Sequence, residues 1–302
     1  MPRSFSSSQA SSRREIDASA LTAFAPLLAL APLWVLAVAL IWWPLQLVWA
    51  VPFVWFAAGL LAAGVILFWR PAQRLVLTRL LGARTPHPAE RGRLVPAWKA
   101  VAQANHLPPE RYVLAVIDDD EVNAFACGGH LVVVSSYAVA ALAPDELRGV
   151  LAHELSHHLG SHTVALTIAQ WLSLPILVLA RIGFFLQNVA QAASETFARN
   201  SASLEALGRV VALLLNTVAW VFLAGLLAAN AIGNVVGRSA EFQADRRAVE
   251  MGYGPELARA LRRVLASGAG GRPRSTSERL FASHPPARTR VARIEALLRA
   301  RR

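Results

Sequence analysis

The chain has 302 residues, 55% hydrophobic and only 16% charged, with a mean hydropathy of +0.42. Ordinary soluble domains are ~25% charged, so this is not one of them, and the apolar content excludes disorder as the main state. The net charge of +11 and the single cysteine, Cys127, leave nucleic acid or an anionic membrane face as partners and exclude an intrachain disulfide scaffold.

Residues 1–17 are serine-rich and read as a disordered amino-terminal segment. Ala18 to Trp69 hold no charged side chain. At ~1.5 Å per residue that is enough helix for two crossings of a ~30 Å hydrocarbon core. The expectation is a transmembrane hairpin over 18–69, with spans at 21–43 and 48–69. Its turn falls near residue 46, between Pro44 and Pro52 and among Trp42, Trp43 and Trp49. Two further uncharged stretches follow, Thr163 to Ala180 and Val210 to Gly237. They predict a second pair of spans within 163–237, joined by a short outer connection. The first of these stretches also fits a buried helix.

The basic residues set the orientation. Arg70, Arg74, Arg79, Arg84, Arg91, Arg93 and Lys99 all follow the first hairpin, and the turn near residue 46 has none. The positive-inside rule then puts both termini, 70–162 and 238–302 in the cytoplasm, which predicts a multi-pass protein of the cytoplasmic (inner) membrane. That placement accounts for the +11, and no nucleic-acid partner is expected.

Between the hairpins, 89–105 has the pattern of an amphipathic helix ended by Pro108 and Pro109, and Tyr112 to Ile117 that of a strand. Asp118 to Glu121 reads as a solvated turn. Val122 to Ala126 and Leu131 to Val134 read as two strands joined through Gly128-Gly129. Pro144, Asp145 and Glu146 open a helix that runs to about Leu159. Helices are also expected over 255–266 and 286–301, with a Gly-, Arg- and Ser-rich loop between them at 268–283. The fold class is therefore mainly α with a small β-sheet, on a multi-span helical membrane protein.

The helix after Pro144 carries His153-Glu154-Leu155-Ser156-His157, an H-E-x-x-H pattern. Residues four apart share a helix face, so His153 and His157 can offer two imidazoles to one ion, while Glu154 can reach a metal-bound water. A catalytic zinc needs a third protein ligand. The metzincin pattern would put histidine at 163, where the chain has Thr163. A motif buried in a membrane span does not suit a helix bearing Asp145, Glu146 and Arg148. A downstream acid remains. Glu241 and Asp245, four apart just past the last span, can supply a ligand and an acceptor for the far nitrogen of a ligand histidine. They can equally be a solvated pair beside Arg246 and Arg247. His158 and His162 read as surface or supporting residues.

H-E-x-x-H, the Glu241-Phe242-Gln243-Ala244-Asp245 element and Asn123-Ala124-Phe125-Ala126 together resemble the HtpX-type membrane metalloproteases. These are gluzincins, related to the CAAX prenyl proteases, and the resemblance covers roughly residues 70–295. It implies a gluzincin-like zinc peptidase domain with one Zn2+ on His153, His157 and Glu241, and Glu154 as base. It also implies an edge strand, Asn123 to Ala126, that pairs with an extended polypeptide substrate, and a role in quality control of membrane or misfolded proteins. His284-Pro285-Pro286 resembles the family's carboxyl-terminal His-Pro element. There His284 can donate to the oxyanion or close the open metal position, and Arg290 is a further candidate donor. The competing function is a catalytically silent membrane sensor or scaffold, against which an intact Glu154 argues. A transporter would need charges inside the spans, which are nearly absent.

Overall fold

The computed structural model describes residues 25–160, 162–197, 201–266 and 285–301. The serine-rich segment, the 268–283 loop, His284 and the side chain at 162 lie outside the described residues. The molecule has a helical layer of membrane length and a compact α/β domain built directly on it.

Helices α1 (Ala25–Trp49) and α2 (Phe53–Val65) form the first hairpin. Its turn lies at 50–52, past residue 46, because α1 continues through both Pro32 and Pro44. Helices packed in a membrane tolerate proline. Reversal comes at Ala50, with φ 48°, and the indole Nε1 of Trp42 donates to the Val51 carbonyl at 2.7 Å across the turn. After a 3-10 turn, Ile66–Phe68, the chain bends by 77° into a short helix α3. It consists of Arg70–Ala72, a π-helical turn Gln73–Leu77 and Thr78–Leu80.

The α/β domain then follows the chain through β1 (Ala83–Arg84), α4 (Pro88–Ala104), β2 (Val113–Ile117), β3 (Ala124–Cys127), β4 (Leu131–Ser135), α5 (Ser136–Ala141) and α6 (Pro144–Leu159). The sheet order is β1-β2-β4-β3. β3 and β4 are an antiparallel hairpin whose three-residue loop opens with Gly128 and Gly129, both at positive φ, 61° and 83°, which glycine adopts without steric cost. β2 pairs with β4 in parallel, so β3 is left as an edge. The acidic turn is outward-facing, and Arg84 bridges its Asp118 to Glu90.

Two long helices complete the layer, α7 (His162–Phe197) and α8 (Ala202–Glu250). They extend well into the expected outer connection, and only 198–201 separate them. Three helices, α1, α7 and α8, have the length and hydropathy to cross a membrane, and the bent pair α2–α3 brings the number to four if it is one span. Leu30, Trp34, Ala37 and Val38 of α1 pack with Ile176 and Ala180 of α7 and Phe222, Leu226 and Ala229 of α8. Helix α8 does not stop at the apolar boundary. Its 49 residues, ~74 Å of helix, carry it into the α/β core.

That core joins Leu94, Trp98 and Val101 of α4 with Val132 and Val134 of β4, Leu147, Leu151 and Leu155 of α6, and Ala248 and Val249 of α8. Helices α9 (Gly254–Ala266) and α10 (Ala287–Ala300) close it with Leu257, Leu261, Val291 and Ile294. Glu146 anchors the start of α6: it accepts from the Ala143 amide at 2.8 Å and pairs with Arg263 of α9 at 2.9 Å. Burial raises its pKa, but Arg263 and the amide outweigh that and hold it below the usual carboxylate value.

Helices α6 and α9 cross closely at Gly149 of α6. A Cβ there would meet Glu256 C at 2.7 Å and Leu257 Cα at 2.8 Å, both backbone atoms that cannot swing away. Gly149→Ala is therefore expected to force α9 off α6 and destabilise the protein by about 1–3 kcal/mol, as overpacking does. Thermal unfolding in detergent should show a lowered midpoint; an unchanged one would contradict this packing.

Candidate metal centre

Helix α6 forms because Pro144 fits its first turn and Glu146 caps it. The register that buries Leu147, Leu151 and Leu155 also turns His153 and His157 toward α8 and leaves Glu154 buried between them in sequence. On α8, Glu241 and Asp245 share one face, four residues apart, and both are buried. The two helices pack together, and their polar faces meet.

His153, His157 and Glu241 each turn a ligand-type atom to a common point. The two Nε2 atoms are 3.2 Å apart, Glu241 Oε1 is 3.1 Å from His157 Nε2, and Glu241 Oε2 is 3.4 Å from His153 Nε2. These three residues form a group that could hold a metal ion. Asp245 stands behind, with Oδ1 3.0 Å from Nδ1 of His153. A proton on Nδ1 donates to that carboxylate and leaves Nε2 as the coordinating atom. Glu154 is only 4% exposed, and its charge bears on Arg290.

Arg290 of α10 is a candidate oxyanion donor in the sequence, and the structure gives it buried acidic partners that the sequence does not reveal. In the structure it is 7% exposed, and its guanidinium forks onto Asp245, Nη2 to Oδ1 at 2.7 Å and Nε to Oδ2 at 3.0 Å. Its Nη1 lies 3.2 Å from Glu241 Oε2. The signal in the sequence was its spacing: Arg290 precedes Val291 and lies four before Ile294, both core residues, so it sits on the buried side of α10.

The other candidates are dispersed. Asn123 adjoins the edge strand and its backbone N–H donates to the Ser135 hydroxyl at 3.1 Å, while Ala124, Phe125 and Ala126 lie in β3, against which α6 packs. His158 is not a surface residue. It is buried, and its ring packs on Tyr112 with centroids 5.2 Å apart. Burial pushes its pKa down to about 3, so it stays neutral.

The charge inventory is unequal. Three buried acids, Glu154, Glu241 and Asp245, face one buried guanidinium, Arg290. With His153 neutral, as a metal ligand must be, the excess of two acids matches a divalent cation. His153 responds to the same excess. Burial and the Arg290 charge push its pKa down, but Glu241 and Asp245 outweigh them and hold it up at about 9.

Residues 88–298 match the family described as Peptidase family M48. A protein named "Protease HtpX homolog" from Acidiphilium cryptum (strain JF-5) is 31% identical over 258 residues, 77% of this chain and 83% of the relative. A second of the same name, from Salinibacter ruber, is 28% identical over 266 residues, 80% of this chain and 87% of that one. Among solved structures, the crystal structure of S. mikatae Ste24p shares the fold, with a TM-score of 0.53 at 19% identity. The match covers 92% of this chain and spans 65% of that structure's length.

A folded-state pKa above the unfolded value of ~6.5 adds stability below that pH, which is lost as pH rises through the folded value. Chelator-treated protein should therefore lose melting temperature between pH 6.5 and about 9. Metal-loaded protein should not, because a coordinated imidazole has no such proton to lose. Parallel curves for the two forms, measured by intrinsic fluorescence on heating, would contradict this reading of His153.

Proposed function

The chain belongs to peptidase family M48 and is a membrane protease, and from that premise we propose that it is a zinc-dependent endopeptidase of the cytoplasmic membrane. Its catalytic domain and both termini face the cytoplasm, and it cleaves exposed segments of membrane or misfolded polypeptides. The observation that supports this best is the convergence of donor atoms: the two Nε2 atoms are 3.2 Å apart, and one carboxylate oxygen of Glu241 lies 3.1 Å from His157 Nε2 and the other 3.4 Å from His153 Nε2. A tetrahedral ion bonded at ~2.0–2.1 Å separates its ligands by ~3.3 Å. Two imidazoles and one carboxylate are also the donor set of a catalytic zinc, which leaves one position open.

His153, His157 and Glu241 would hold the ion, which supplies Lewis acidity and an activated water. Glu154, next in sequence to His153, accepts the proton of the attacking water and returns it to the leaving amine. Asp245 fixes the tautomer and plane of His153, and Arg290 fixes Asp245 through a two-point fork that a lysine could not reproduce. The substrate is held along β3. As the sheet edge beside α6, it offers backbone N–H and C=O groups to an extended chain. Pairing of that kind makes little demand on side chains, which suits a protease acting on many damaged proteins.

Glu154→Gln keeps the shape of the side chain without its basicity. Purified in detergent, this variant should retain bound zinc by elemental analysis and cleave casein about 10²–10⁴-fold more slowly than wild type. Near-normal cleavage would overturn the assignment of the base, and with it the hydrolytic mechanism.

A further inference from the structure

A bend of 77° separates α2 from α3. Helix α2 is part of the membrane layer, where the Trp171 indole donates to the Leu60 carbonyl at 3.0 Å. Helix α3 leaves it at nearly a right angle and runs along the side of the α/β domain that adjoins that layer. Its π-helical turn spaces the inward residues five apart. Ala72 and Gln73 are buried, then Leu77 and Thr78. Leu77 packs with Ala115, Cys127, Leu131 and Val133 of the sheet. The Gln73 amide donates to the Leu67 carbonyl at 3.0 Å and to the Gly128 carbonyl in the β3–β4 turn.

The outward face is built quite differently. Arg70, Arg74 and Arg79 are exposed, and so are Trp69, Leu75 and Val76, at 65%, 59% and 49%. Arg70 donates to the Glu110 carbonyl. Neither Arg74 nor Arg79 forms an ion pair among the described residues. No acid occurs anywhere between Asp17 and Glu90. Large apolar side chains and guanidinium groups thus alternate on one face, continuous with a helix of the membrane layer. Water suits only half of that face. The boundary between headgroups and acyl chains suits all of it, since apolar side chains enter and arginines stay at the level of the phosphates.

We propose that α3 is an in-plane docking surface for anionic phospholipid, with Arg74 and Arg79 binding lipid phosphates while Trp69, Leu75 and Val76 enter the acyl boundary. Arg70 contributes a third charge beside the bend. Because Gln73 ties the opposite face of α3 to Gly128, the bound lipid surface sets the height of the β3–β4 turn above the membrane. The edge strand is thereby presented to chains emerging from the same leaflet. The presentation of the edge strand rests on the proposed role of β3 in holding substrate, whereas the lipid binding itself does not depend on peptidase activity.

The test uses the full chain in phosphatidylcholine vesicles, with Cys127→Ala and a fluorophore attached through Val76→Cys. A few mole per cent of nitroxide lipid is added, bearing either a phosphatidylglycerol or a phosphatidylcholine headgroup. Near an anionic surface each arginine favours contact by roughly fivefold. Nitroxide phosphatidylglycerol is therefore expected to quench about two- to fivefold more strongly than its phosphatidylcholine counterpart. The difference should fall to what Arg70 alone supplies in Arg74→Gln/Arg79→Gln and shrink at about 0.5 M salt, where the Debye length is only a few ångströms. Equal quenching by the two lipids in the parent protein would overturn the proposal. So would weak quenching by both, which would place residue 76 against another copy of the chain or in water.

Discussion

Three acidic side chains, Glu154, Glu241 and Asp245, are buried together in a helical core, and the surrounding structure answers to the cost of that burial. A carboxylate taken out of water is costly unless it is paired and hydrogen-bonded. Arg290 meets Asp245 with a two-point fork and approaches Glu241. His153 stands between the two acids, and His157 faces Glu241. One guanidinium cannot balance three acids, and the remaining deficit is what a divalent ion removes. Metal affinity and the stability of this core are therefore coupled in the proposed holoenzyme.

The membrane layer holds the cluster in place. Glu241 and Asp245 belong to the same helix as Phe222 and Leu226, which pack against α1. No hinge separates span from site, so tilting α8 moves two of the cluster's acids against α6. Helix α6 is in turn held by Glu146 and Arg263, by the close crossing at Gly149 and by its packing on β3. The edge strand and the metal ligands are thus carried by elements packed directly on one another, as the proposed cleavage of an extended chain requires.

Much of this was legible in the sequence where local chemistry decides the structure. Pro144 with two acids predicts the start of α6. Gly128-Gly129 predicts the β3–β4 turn, and the four-residue spacings put His153 with His157 and Glu241 with Asp245 on common faces. What escaped the sequence depends on partners remote in the chain. The fork of Arg290 on Asp245 spans 45 residues, and the hydrogen bond from Gln73 to Gly128 spans 55. His158 is buried because Tyr112 covers it, which its helical position alone does not reveal. The first hairpin turns at Ala50 instead of near residue 46, because α1 continues through Pro44 and reverses only at the positive-φ Ala50. The π-helical turn of α3 has no sequence signal beyond the five-residue spacing of its inward pairs.

X-ray absorption at the zinc edge of the detergent-purified, zinc-loaded protein tests the account most directly, since it reads the ligands without assuming any activity. The account predicts a first shell of nitrogen and oxygen at about 2.0–2.1 Å, with the outer-shell scattering of two imidazoles. Sulfur scattering at about 2.3 Å, or a shell without imidazole, would contradict it.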